Sequence, residues 1–174
     1  APEGSTLITP ISTLADSLIT QGLATDLFAA TQQVQTALGI PETVNALTFD
    51  PMAALANVNG SDASKQSALA LLSVQQQVAT VIAQASTMIA QGGTEKAATD
   101  ASNAVVGALA SAMSQSKTAT FDLKSTANIS AAIQSASTTL KSEITAATLQ
   151  QISSVVTQST TLLDNASKSG TVAN

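Results

Sequence analysis

Proton transfer and nucleophilic attack near neutral pH need an activating base, and this sequence is almost stripped of them. It contains no histidine, cysteine, arginine, tryptophan or tyrosine. Ser-His-Asp and Cys-His constellations are therefore impossible, because the group that activates the nucleophile is absent. Structural zinc, iron–sulfur, haem and blue-copper centres have no ligand set. Eleven carboxylates and six lysines remain. The acids are scattered singly, from Glu3 to Asp164, with none three or four residues from another. No helix can thus present the paired acids of a di-metal site. Asp50, Asp62 and Glu95 stand where helices are expected to begin, and there a carboxylate accepts backbone N–H groups and complements the dipole.

Three weaker patterns remain in the sequence. Asn57-Val58-Asn59-Gly60-Ser61-Asp62 places oxygen donors at alternating positions around a glycine, partly like an EF-hand calcium loop. Its first position is Asn and the bidentate Glu at the twelfth is missing, so a helix-to-helix turn capped by Asp62 is the expected reading. Ser114 to Lys117 has the Ser-x-x-Lys spacing of a lysine-activated serine. It lies at a polar helix end, where a lysine complements the C-terminal dipole. Asn-x-Ser occurs at Asn59, Asn128 and Asn165. Seven asparagines in a chain about one-quarter Ser plus Thr give nearly two such matches by chance, so the pattern carries no weight. No residue is singled out as catalytic, cofactor-binding or metal-binding, and the chain is expected not to be an enzyme.

A net charge of −5 without arginine argues against nucleic acid, which needs clustered cations. With 174 residues, one domain is expected, large enough to bury a core without disulfides. The apolar share is 44 %, but it rests on 33 alanines; 24 Thr, 22 Ser and 15 Gln supply a polar, uncharged exterior. Unbroken apolar runs are only a few residues long, so no membrane-crossing helix is expected.

The elements follow from punctuation and period. Thr9-Pro10 opens a helix with Ile11, Leu14, Leu18 and Ile19 on one stripe, closed by a left-handed Gly22. A second helix runs from about Thr25 to Leu38 with Leu27, Phe28, Val34, Ala37 and Leu38 inward, closed by Gly39. Pro41 forces a loop, and Asp50-Pro51 opens a short helix that ends near Asn59-Gly60. From Asp62 to Gln91, Leu71, Val74, Val78, Val81, Ala85 and Met88 recur every three or four residues, predicting a helix of about 30 residues. Gly92-Gly93-Thr94 turns into a helix striped by Ala98, Ala101, Val105, Ala108, Leu109, Ala112 and Met113. Gly107 inside it suggests a close crossing. Phe121 and Leu123 are expected to plug the bundle end. Ile129, Ile133, Ala136, Leu140 and Ile144 mark one stripe; Leu149, Ile152, Val155, Val156, Leu162 and Leu163 mark another, with a break or kink favoured near 142–148. Thr6 to Ile8 and Val44 to Phe49 are the only strand-like pieces.

The expected fold is all-α: an antiparallel helical bundle with long amphipathic helices and a shorter N-terminal helical hairpin. Residues 1–8 read as a linker from a preceding module. Residues 9–168 read as one helical domain, with short helices over 9–58 and a long-helix bundle over 62–168. Residues 169–174 read as a flexible tail.

The opening, Ala1-Pro2-Glu3-Gly4-Ser5-Thr6-Leu7-Ile8-Thr9-Pro10-Ile11-Ser12-Thr13-Leu14, together with Gln21-Gly22-Leu23, Ala37-Leu38-Gly39-Ile40-Pro41 and Phe49-Asp50-Pro51-Met52-Ala53-Ala54, resembles a helical module of very large bacterial cell-surface or secreted proteins. Such proteins carry cadherin-like, Calx-β or repeats-in-toxin calcium-binding modules nearby. The resemblance covers roughly residues 1–92; residues 93–174 share only the composition. It implies an extracellular setting, neighbouring domains of the same large protein as partners, and a spacing or docking role without catalytic residues. Proteins exported unfolded by one-step secretion tend to be acidic and free of cysteine, as this chain is. Two other readings stay open: an amphipathic bundle binding a lipid or granule surface or a small apolar ligand, and a self-associating filament subunit.

Overall fold

The computed structural model describes residues 8–41, 43–90, 95–116 and 120–169. Among them are seven helices and no strand. Most helices begin on a side-chain oxygen that accepts an otherwise unpaired backbone N–H. Helix α1 (Pro10–Thr20) starts on a reciprocal box: Ser12 N donates to Thr9 Oγ1 at 3.1 Å and Thr9 N to Ser12 Oγ at 2.9 Å. It ends with Gly22 at φ +68°, where Leu23 N reaches back to Leu18 O at 2.8 Å. Helix α2 (Leu27–Leu38) starts on Asp26 and ends at left-handed Gly39. The Asp50 carboxylate accepts from Met52 N and Ala53 N to start α3 (Pro51–Ala56). Then come α4 (Asp62–Ala90), α5 (Glu95–Gln115), α6 (Thr126–Thr139) and α7 (Ala146–Ser169).

The four long helices close a ring. Helix α4 packs on α5, α5 on α6, α6 on α7, and α7 back on α4. Sequential neighbours joined by short connections give the up-down arrangement of a helical bundle. The α1–α2 pair packs against α5, and α3 lies on α4. All share one core, in which Leu71, Val78, Val81, Val105, Leu109, Ile129, Ile133, Ile152 and Val156 meet Ile11, Leu14, Leu18 and Val34. Helix α4 alone is long and apolar enough to cross a membrane by length and composition, with a hydropathy of 1.2 in its most apolar window. Its apolar seam faces α5 and α7, which is the position of a core helix, so no clear membrane-spanning segment is present among the described residues.

Phe121 and Leu123 are buried as expected, and Phe121 N donates to Ala37 O at 2.6 Å, tying the α5–α6 connector to the end of α2. The chain breaks between α6 and α7: α6 stops at Thr139, Lys141 takes a left-handed φ of 54°, and Ser142 N closes on Ser137 O at 2.9 Å.

Several expectations are corrected. Phe28 points outward, 73 % exposed. Leu27 lies two turns before buried Val34 and shares its face, and Phe28 falls about 100° further round the helix. Ala98 is exposed at the margin of its stripe. Val155 and Leu162 are 50 % and 69 % exposed, because α7 turns Ser153, Thr157 and Thr160 inward in their place. Val44 to Phe49 forms turns pinned by Asn45, whose side chain accepts from Leu47 N and whose carbonyl accepts from Phe49 N. Ser61, not Asp62, caps α4, accepting from Ser64 N at 3.2 Å. The backbones do not crowd at Gly107: a methyl group there would meet only the Gln21 side-chain amide, at an ordinary 3.5 Å. Of the expected tail, Ser169 is the last residue of α7, and 170–174 lie outside the described residues, as do the Gly92-Gly93-Thr94 turn and all of the 1–8 segment except Ile8.

Candidate functional site

Charge converges at one place among the described residues. Asp164 on α7 accepts from Lys124 Nζ at 2.9 Å and from Lys168 Nζ at 2.8 Å. Lys124 belongs to the connector ahead of α6, so the first bond ties that connector to α7. Lys168 lies one turn beyond Asp164 on the same helix. The Asp164 side chain is 18 % exposed. The Lys168 ammonium, then that of Lys124, holds the Asp164 carboxyl below its usual range. The hydrogen bond to Asp164 raises the Lys124 ammonium, against a smaller desolvation that lowers it.

The cluster borders a cleft of about 370 Å³ whose other walls include Leu38, Val74, Gln77, Phe121 and Asp122. Asp122 is occupied in building the connector: its carboxylate accepts from Lys124 N at 2.9 Å and its carbonyl from Asn128 Nδ2 at 3.2 Å. Beneath the cluster, buried Thr160 shares its hydroxyl proton between Leu123 O and Thr157 O, each at 3.0 Å. The hydroxyl pairs continue along α7. Thr126 and Thr157 oxygens lie 3.4 Å apart; Ser130 Oγ donates to Ser153 Oγ at 2.8 Å; Gln84 Nε2 donates to Ser159 Oγ at 3.0 Å. The Thr157, Ser153 and Ser159 contacts, and the Thr160 bond to Leu123 O, each join α7 to a neighbour. The chemistry of this region is fastening.

A second concave surface is a groove of about 520 Å³ between α2 and the turns over 43–48. Leu27, Thr31, Gln35, Val44 and Leu47 line it, with Phe28 exposed at its edge, and no charged side chain among the described residues takes part. Gln35 is buried there and donates to Val44 O at 2.7 Å, holding the turns onto the helix.

The patterns weighed from sequence fall as follows. Asn57 to Asp62 forms the α3–α4 turn, and its oxygens serve the backbone: Asn57 Oδ1 accepts from Asn59 N at 3.1 Å and Asn57 O from Gly60 N at 3.0 Å. No group of three metal-ligating side chains exists among the described residues. Ser114 lies in the last turn of α5, while Lys117 lies outside the described residues. Asn128 and Asn165 stand within α6 and α7; Asn59 alone of the three is in a turn. Sequence reasoning missed the Lys124–Asp164–Lys168 cluster. Its four-residue half, Asp164 to Lys168, was visible in the spacing. Its 40-residue half needed the fold.

Comparison with protein-family models, with curated proteins and with solved structures finds no match.

Proposed function

We propose that this chain is a non-catalytic helical module of a large bacterial cell-surface or secreted protein, acting as a spacer or docking domain beside its neighbours. The observation that carries the reading is how its scarce functional groups are used. Among the described residues, the Lys124–Asp164–Lys168 cluster and the buried hydroxyls tie α7 to the connector and to α6 instead of converging on an accessible reacting atom. A surface of Ser, Thr and Gln with only 10 % charged residues suits a low-stickiness extracellular spacer. The resemblance of residues 1–92 to such modules supports the same setting.

One observation favours a second reading, binding to a lipid or granule surface. Val155 and Leu162 are seven residues apart, two turns along one exposed face of α7. That face lacks the cations and Trp or Phe that interfacial helices use as anchors.

Light scattering with small-angle X-ray scattering, in calcium and in chelator, tests the proposal, with vesicle flotation beside it. A compact monomer with one profile in both conditions and no flotation is the expected result. Concentration-dependent polymers would replace the proposal with a filament subunit. Flotation with anionic or neutral vesicles would replace it with the second reading.

A further inference from the structure

We propose that Asn59 is a self-modification site, at which the chain converts its own Asn59–Gly60 linkage to aspartate and isoaspartate. The required parts are a side-chain amide, a following backbone nitrogen that can reach it, and backbone free to bend. Asn59 has the amide, and its turn holds the Gly60 nitrogen by a single backbone bond that must open first. It lies in the exposed turn between α3 and α4, outside both helices, and its side chain makes no hydrogen bond among the described residues. Gly60 brings no β-carbon to obstruct the approach.

The other described asparagines each lack a part. Asn103, Asn128 and Asn165 are held in helices, where the backbone keeps the next nitrogen turned away from the side chain. Asn57 is followed by β-branched Val58, and its side-chain oxygen is engaged by Asn59 N. Asn45 is followed by Ala46, and its side-chain oxygen is engaged by Leu47 N.

The step balances without an oxidant or cofactor. The Gly60 nitrogen attacks Asn59 Cγ. The new C–N bond closes a five-membered succinimide, the bond from Cγ to Nδ2 breaks, and ammonia leaves with the proton that Gly60 N gave up. Water then opens the ring. Opening at Cγ leaves aspartate with the original backbone. Opening at the α-carbonyl leaves isoaspartate, which routes the backbone through the side chain and adds one carbon to it. Both products carry one more negative charge than the −5 of the fresh chain.

The structure also supplies a brake. Gly60 N donates to Asn57 O at 3.0 Å, so the nitrogen must leave that bond before it attacks. After isoaspartate forms, the Gly60 N bond to Asn57 O loses its geometry, because the linkage to Gly60 is now one carbon longer. The consequence falls on the joint that holds α3 against α4.

The test is to age the intact chain in mildly alkaline buffer and map it by mass spectrometry with isoaspartate-specific methylation. A synthetic peptide covering 55–64 runs beside it. The expected result is conversion at Asn59 ahead of every other described asparagine, slower in the folded chain than in the peptide. Asn59→Gln should lose the signal while keeping the helical circular dichroism, since the residue is exposed. Conversion appearing first at Asn45, Asn57, Asn103, Asn128 or Asn165 would overturn the proposal. So would complete conversion of the peptide with none in the folded chain.

Discussion

Removing the Asp164 carboxylate tests whether charge fastens α7 to the connector. Asp164 holds two lysines at 2.9 and 2.8 Å, whose side chains are 36 % and 69 % exposed. Because both ammonium groups keep much of their water, each pair contributes about 0.2–1 kcal/mol. Asp164→Ala should therefore cost about 1 kcal/mol in all. In a chain of this size that is a fall of about 2–4 °C in the unfolding midpoint. Crossing it with Lys124→Ala isolates the long-range bond, with an expected coupling of about 0.5 kcal/mol. The pH dependence has a definite sign at each end. The Asp164 carboxyl is lowered in the fold, so its stabilisation is whole above the unfolded value of about 3.9 and is lost as pH falls through the folded one. Lys124 is raised, so its share is whole below about 10.4 and is lost as pH rises through the folded value. The coupling should be flat through neutrality, vanish in acid, and shrink in high salt. With no Trp or Tyr to follow by fluorescence, the assay is urea unfolding by far-UV circular dichroism. A coupling near zero at neutral pH, or one unchanged in acid, would refute the reasoning.

Three further substitutions probe the packing by the same unfolding assay. Gly107→Ala should stabilise by about 0.5–1 kcal/mol, because helix propensity improves and the new methyl makes only an ordinary contact with Gln21; a loss of stability would mean that α1 and α5 approach too closely for a methyl. Thr160→Val should cost about 1–3 kcal/mol, since it removes the buried donor shared by Leu123 O and Thr157 O while keeping the shape; an unchanged midpoint would show that the connector does not depend on this hydroxyl. Phe28→Ser should change stability by no more than about 0.5 kcal/mol, as expected of an exposed residue; a core-sized loss would place Phe28 inside, as the sequence first suggested.

Helix ends were the most legible part of this fold. Thr9, Asp50, Gly22 and Gly39 act within a turn of where they stand in the chain, so their roles need no knowledge of distant neighbours. The long seam of α4 was legible for a related reason. Leu71, Val78, Val81 and Ala85 are inward and apolar and set the period, even though Gln77 and Ser86 are buried beside them. The break before α7 was only half legible. No Gly or Pro marks it, and the left-handed position fell to Lys141, a residue that carries no such signal.

The failures share a cause that lies in the composition. A period read from hydrophobicity assumes that hydroxyls face water. On α7 that assumption fails, because its short hydroxyls reach partners on the neighbouring helix and connector. Ser153 can meet Ser130, and Thr160 can meet the Leu123 carbonyl, so each is buried with its polar group satisfied. Each side chain can also bond a carbonyl of its own preceding turn, as Ser153 does with Leu149 O at 2.8 Å, which removes the cost of burial before any partner is found. Once these hydroxyls take the inner face, helical geometry forces Val155 and Leu162 outward. Their exposure follows from the packing of Ser and Thr, and it would exist with no ligand waiting for it. Exposed aliphatics on α7 are thus weak grounds for a binding surface, while the hydroxyls opposite them are stronger grounds for a chain specialised in holding its own helices together.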